Sequence, residues 1–171
     1  QPDLRFAGNI EIGRDLTWDE VIQSYDAVIV ATGMVGDRRL GIPGEDLPHV
    51  WGSWRFVAWL NGHPDFRTGP DLSGVKSVAV IGNGNVALDV ARLLAKSPEE
   101  MAKSDIVLEA GAAIAVAPIA DIHVIGRRGA EQASFTTNEL AEMGRLARAV
   151  AVADASVLTA EAPAADPTPE R

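Results

Sequence analysis

The sequence predicts an α/β fold in which a parallel sheet carries helices on both faces. Three observations lead there. Short Val- and Ile-rich runs end at glycines, as in YDAVIVATG (25–33), SVAVIG (77–82) and IHVIG (122–126). The apolar residues come as runs more than as alternations, the pattern of strands covered on both faces. Segments with helical spacing lie between the runs, and strands that alternate with helices pair in parallel.

The elements follow in order along the chain. Leu4 to Ile12 predicts short strands broken by Gly8 and Asn9. Thr17-Trp18-Asp19-Glu20 is a capping-box pattern that opens a short helix through Ser24. YDAVIVATG predicts a buried parallel strand, and the glycine- and proline-rich stretch from Met34 to Gly52 a loop or crossover. In WGSWRFVAWLNGHPDF, the spacing of Trp54, Val57, Ala58 and Leu60 predicts a helix that breaks at Asn61-Gly62. A polar loop then runs to Val75. Ser77 to Ile81 is a strand, followed by a glycine turn and a helix from about Asn85 to Lys96 with Val86, Val90, Leu93 and Leu94 on one stripe. Ser97-Pro98-Glu99-Glu100 starts another helix, with Ser97 as cap and proline in the first turn, where its missing N–H costs nothing. The alanine-rich stretch up to Pro118 is compatible with either helix or strand. Asp121 to Ile125 is a second strand, closed by Gly126-Arg127-Arg128. A helix from near Thr137 to Arg148 and a weak strand over Ala149 to Val152 complete the pattern, which contains no internal repeat.

Composition narrows the function. A chain of 171 residues with 47% hydrophobic content is long enough for one domain, or a domain with part of another, and too apolar for disorder. The formal net charge of −9 opposes broad binding to nucleic acid or anionic membrane. No cysteine is present, which excludes disulfides, thiolate metal sites and redox dithiols. The three histidines, His49, His63 and His123, lack a metal-binding spacing, so no metal site is expected. The apolar run near 110–120 is too short to span a bilayer and carries Pro118. No signal peptide is recognisable at the start, and a cytoplasmic location is expected. The chain opens on Gln1 and closes on the linker-like AEAPAADPTPER, so a piece of a longer protein is expected.

Gly82-Asn83-Gly84-Asn85-Val86-Ala87 fits G-x-G-x-x-A between a strand and a helix. The first glycine permits the tight turn. The second leaves room for a pyrophosphate against the backbone, and the small Ala87 lets helix and strand approach. Free N–H groups and the positive end of the helix dipole then face the phosphates. The fold is thus read as Rossmann-like and dinucleotide-binding. A purely structural strand–helix turn is the plain alternative for such a motif, and the flanking strand and amphipathic helix weigh against it. An NAD site places an acidic residue after the second strand, whereas here Arg127 and Arg128 stand there, two guanidiniums able to fork onto a 2′-phosphate. That pattern favours NADP. Arg38-Arg39 is a rival pair, but it sits in the crossover loop. The second strand also comes later than the usual ~20 residues after the turn. Thr136-Thr137-Asn138-Glu139 reads as a capping box, which by itself accounts for Glu139. No catalytic acid, base or nucleophile is identified.

Taken together, YDAVIVATG, IPGEDLP, FVAWLNGHPD, VAVIGNGNVALDVARLL, VIGRRG and FTTNEL closely resemble the adrenodoxin-reductase type of ferredoxin–NADP reductase, over nearly the whole chain to about Leu146. The resemblance implies FAD in one Rossmann-like domain and NADP in a second one inserted into it. It also implies hydride transfer between nicotinamide and flavin, and single-electron transfer between flavin and a ferredoxin-type iron–sulfur protein. It carries NADP contacts onto Asn83, Gly84, Asn85 and Val86, onto Arg127 and Arg128, and onto Glu139, which then serves the cofactor as well as the cap. The sequence departs from the family at Leu60, where a tyrosine is usual, and at Asn138, where a lysine is usual. The family's amino-terminal G-x-G-x-x-G for FAD and its carboxy-terminal flavin segment have no counterpart here. Residues 1–35 are therefore expected to be the carboxy-side remnant of the first FAD-domain section, 36–155 the NADP-binding domain and 156–171 a linker-like tail. A fragment so cut is expected to lack turnover alone. Two other readings remain: part of a flavoenzyme like the glutamate synthase small subunit, and a nucleotide-binding module without turnover. Ferredoxins are generally acidic, so their docking face is expected to be small or outside this acidic segment.

Overall fold

A computed structural model describes residues 3–33, 36–127 and 129–153. The chain divides into two compact units, Gln1–Val35 and Gly36–Arg171. In the first, α1 spans Trp18–Ser24 and carries the expected capping box. The Glu20 N–H donates to Thr17 Oγ1 at 3.2 Å and the Thr17 N–H to Glu20 Oε2 at 2.8 Å. The strands expected from Leu4 to Ile12 do not form. Asn9 takes a positive φ of 58°, which turns the chain there, and an isolated bridge joins Ile12 to Leu16. YDAVIVATG is not a buried strand either: Ile29 is 90% exposed and no ladder engages it. A strand needs neighbours to take its N–H and C=O groups. Among the described residues of this unit none is offered.

The second unit holds the sheet. Strand β1 (Ser77–Ile81) pairs in parallel with β2 (Asp121–Ile125), in register from Ser77 opposite Asp121 to Ile81 opposite Ile125. Before β1 comes α2 (Ser53–Leu60), whose first turn is capped from afar by Asp37, Oδ1 accepting from the Trp54 N–H at 2.7 Å. It ends where expected, with Asn61 as cap and Gly62 at φ 68°. Its buried stripe is Phe56, Ala58, Trp59 and Leu60; the expected Ala58 and Leu60 belong to it, but Trp54 and Val57 do not, Trp54 turning to meet Phe66 edge-on at 4.7 Å.

The crossover from β1 to β2 contains α3 (Asn85–Ala95), α4 (Pro98–Met101) and α5 (Leu108–Val116). The face of α3 that is buried is Ala87, Leu88, Ala91, Leu94 and Ala95, so small residues set the packing distance; of the expected stripe, Leu94 is buried, Val90 and Leu93 are partly buried against the core, and Val86 is exposed. The alanine-rich stretch resolves into α5, with Ala110 and Ile114 fully buried. Phe56, Trp59, Leu60, Leu72, Leu94, Met101, Ala110, Ile114 and Ala117 form one core, with Val78 and Ile122 of the sheet packed against it. The other sheet face, carrying Ala79, Ile81, His123 and Ile125, is exposed.

Ser97 caps α4 reciprocally, its N–H donating to Glu100 Oε2 at 2.8 Å and its Oγ accepting from the Glu100 N–H at 3.2 Å. Ser97→Ala is expected to cost about 1 kcal/mol in urea unfolding; no change in midpoint would show the cap to be idle.

After β2 come a 3₁₀ turn at Ala130–Gln132 and α6 (Thr137–Met143), which stops at Gly144 short of the expected Arg148. Arg148 instead donates to the carbonyls of Leu94 and Ala95, both at 3.2 Å, where a cation complements the end of α3. The strand expected over Ala149 to Val152 does not form, Val150 being 87% exposed. The expected tail, 156–171, lies outside the described residues. Among those described, no helix is long and apolar enough to cross a membrane.

Candidate functional site

The chain turns at Gly82, whose φ of 146° is a backbone conformation that favours glycine. A Cβ there would lie 3.4 Å from that of Ala87, so the first and last positions of the motif pack on each other. The Gly82 N–H donates to the Ile125 carbonyl at 2.9 Å, which locks the turn to the end of β2. Gly126, the next residue, lies so near Asn83 that a Cβ on it would come within 2.9 Å of the Asn83 Cβ. The start of the arginine pair is thereby placed beside the glycine turn. Arg127 is exposed, and Arg128 lies outside the described residues.

Gly84 caps α3 without a side chain. Among the described residues, the backbone N–H groups of Asn83, Gly84 and Val86 find no acceptor, that of Asn85 faces the Ser134 carbonyl across the parallel bridge between Gly84 and Ser134, and those of Ala87 and Leu88 bond to the Gly84 carbonyl. Three donors around a helix start, with Val86 exposed beside them, are what an anionic phosphate needs.

Later chain comes back over this turn. Ser134 donates to the Asn83 carbonyl through its N–H at 2.9 Å and its Oγ at 3.1 Å. A Cβ on Gly84 would lie 3.2 Å from that Oγ, so glycine also makes room for the returning strand segment. The Thr136 N–H donates to Asn85 Oδ1 at 2.7 Å. Asn85, an NADP contact in the resemblance, thus also anchors the start of α6 through its side chain. Ser134 carried no motif in the sequence. Its pairing depends on a separation of 51 residues, which no local pattern reports.

The capping box at α6 is only half formed. Thr136 Oγ1 accepts from the Glu139 N–H at 3.4 Å, but Asn85 already takes the Thr136 N–H, so the Glu139 carboxyl does not reach back. It lies against Asp89 on α3, with Oε2 shut off from solvent and without a hydrogen-bond donor among the described residues. Loss of solvent, first, and then the charge and hydrogen-bond contact of Asp89 raise the Glu139 carboxyl above the usual glutamate value, with Arg92 opposing. Arg92 joins the two helices, Nη2 contacting Asp89 at 2.5 Å and Nη1 meeting Glu142 at 2.7 Å. Sequence reasoning missed Asp89 and Arg92 because both sit inside a helix as ordinary polar residues.

The rival pair fares differently. Arg39 Nη2 binds Asp46 Oδ1 at 2.6 Å within its own loop. No group of His, Cys, Asp or Glu side chains among the described residues is arranged to hold a metal ion.

A family model described as pyridine nucleotide-disulphide oxidoreductase matches residues 8–132. The NADPH-ferredoxin reductase FprA of Mycobacterium tuberculosis (strain ATCC 25618 / H37Rv) is 48% identical over 146 residues, covering 85% of this chain and 32% of the relative. The mitochondrial NADPH:adrenodoxin oxidoreductase of Bos taurus is 43% identical over 142 residues, covering 82% and 29%. Among solved structures, Mycobacterium tuberculosis FprA in complex with NADPH superposes with a TM-score of 0.73 at 46% identity, covering 81% of this chain and 31% of that one. This chain spans about a third of the length of the curated relatives it matches.

Proposed function

The chain belongs to the pyridine nucleotide-disulphide oxidoreductase family, and on that premise we propose that it is the NADP(H)-binding part of a flavin-dependent oxidoreductase. The whole enzyme passes electrons between NADPH, FAD and a ferredoxin-type iron–sulfur protein, as a ferredoxin–NADP reductase. In this reading residues 36–155 form the NADP-binding domain, 1–35 belong to the FAD domain, and the protein works in the cytoplasm. Relatives named as NADPH-ferredoxin and NADPH:adrenodoxin reductases support the partner class.

One observation carries the reading: three unspent backbone donors, at Asn83, Gly84 and Val86, on a turn where a Cβ at Gly84 would intrude on Ser134. That cradle fits a pyrophosphate and demands no side-chain chemistry. Arg127 and Arg128 take the 2′-phosphate, and Gly82, Ala87 and Glu139 complete the site. NADP supplies the hydride chemistry when bound, and this chain's residues hold and orient it. The FAD site is expected largely outside the described residues. Their one strand–glycine–helix unit is β1 and α3, already assigned to NADP.

Fluorescence titration of the whole protein with NADPH and NADH tests this. NADPH is expected to bind about tenfold tighter or better, the equivalent of one charged hydrogen bond to the 2′-phosphate. Equal affinities would overturn the arginine assignment, and failure of both to bind would overturn the function.

A further inference from the structure

The peptide unit between Asn83 and Gly84 is gripped at one end only. Its carbonyl accepts twice from a single residue, from the Ser134 N–H at 2.9 Å and from the Ser134 Oγ at 3.1 Å. A carbonyl oxygen has two lone pairs, and here both are engaged. Ser134 is in turn tied to the start of α3. The Asn85 N–H faces its carbonyl across the bridge between Gly84 and Ser134, and the Thr136 N–H donates to Asn85 Oδ1 at 2.7 Å.

A trans peptide is planar, and its C=O and N–H point in opposite directions. Among the described residues no peptide bond is cis. With its carbonyl turned toward Ser134, the unit therefore sends the Gly84 N–H the other way, off the returning segment, where it finds no acceptor. Gly84 has φ −121° and ψ 179°, extended values that any residue adopts. What keeps a side chain out is the Ser134 Oγ, 3.2 Å from where a Cβ would lie. Glycine brings a second consequence. Its φ passes readily to positive values, so the Asn83–Gly84 peptide is able to turn over and exchange N–H for C=O on the open side. An N–H there binds a phosphate, whereas a carbonyl oxygen repels it.

We propose that Ser134 is a positioning residue for the nucleotide: its N–H and hydroxyl together lock the Asn83–Gly84 peptide with the Gly84 N–H outward. The inference rests on the nucleotide-binding reading above. Any residue but proline at 134 supplies the N–H, but the second donor comes from the hydroxyl. Only the outward form binds phosphate, so the apparent affinity falls with its population. NADPH and NADH have the pyrophosphate in common and are affected alike, unlike the effect of a change at the arginine pair.

The test has two arms in the whole protein. In the first, Ser134→Ala is expected to raise the dissociation constants of NADPH and NADH by the same factor, about two- to tenfold, the worth of one hydrogen bond. Ser134→Thr keeps the hydroxyl and is expected to restore both. 2′-AMP has the 2′-phosphate but no pyrophosphate, and is expected to bind S134A as it binds wild type. Unchanged affinity for both dinucleotides, a loss confined to NADPH, an equal loss for 2′-AMP, or no rescue by threonine would overturn the proposal.

The second arm uses no nucleotide. Labelling with carbonyl-¹³C asparagine and ¹⁵N glycine selects, within this chain, the Asn61–Gly62 and Asn83–Gly84 peptides alone. In S134A the Gly84 amide signal is expected to broaden or split as the peptide exchanges between its two orientations, while the Gly62 signal stays as it is. An unaltered Gly84 signal overturns the lock even where nucleotide affinity changes. Failure of the wild-type protein to bind either dinucleotide overturns the proposed function instead, and the Gly84 signal then still decides whether Ser134 holds the peptide.

Discussion

Replacing Arg127 and Arg128 together with alanine is expected to weaken NADPH binding far more than NADH binding. Each charged hydrogen bond lost from the 2′-phosphate costs about 1.5–3 kcal/mol, or roughly ten- to a hundredfold in the dissociation constant. NADH lacks that phosphate and should lose little. Gly126 fixes the start of the pair: it fits against Asn83 with no room for a Cβ, and the turn itself is tied to Ile125. Measuring both nucleotides against the double variant and each single one separates roles. A parallel loss for NADPH and NADH would show that the arginines shape the turn and do not read the phosphate. Lysine at either position keeps the charge but loses the planar fork, so intermediate affinity is expected there.

Ile114→Ala is expected to cost about 2–5 kcal/mol of stability. Ile114 is fully buried in the core formed by α2, α3, α4 and α5, and that core supports Val78 and Ile122 of the two strands. The loss combines the transfer of its removed methyl groups with the cavity they leave. Urea unfolding should show a lower midpoint with unchanged slope, while NADPH affinity of the folded protein stays near wild type because no phosphate donor moves. A shift below about 1 kcal/mol would mean that the surrounding side chains collapse into the space.

The glycine turn, both strands of the sheet and the capped starts of α1 and α4 were legible in the sequence because each depends on neighbours a few residues away. A cap needs its third residue, and a strand–glycine–helix unit is contiguous. What went unread depends on distant partners. YDAVIVATG has the composition of a buried strand, but composition does not supply the strand beside it. On α3 the large apolar residues mark only part of the buried face: Leu94 is in it, whereas Val86 is exposed and the close packing is made by Ala87, Ala91 and Ala95. The half-formed capping box at Thr136 shows the same limit. The local pattern promised a reciprocal bond, and Asn85 intercepted it. Ser134, Asp89 and Arg92 contribute to the site only through contacts across the crossover.

That crossover also orders how the molecule assembles. The glycine motif is complete once residue 87 is made, but the segment that closes over it begins at Ser134, 51 residues beyond its partner Asn83. Helices form within a microsecond or so, whereas contacts so far apart wait on the closure of a long loop. A growing polypeptide therefore exposes the bare glycine turn well before its cover arrives. A nucleotide that bound the closed turn in preference to the open one would draw the last stage of folding toward completion.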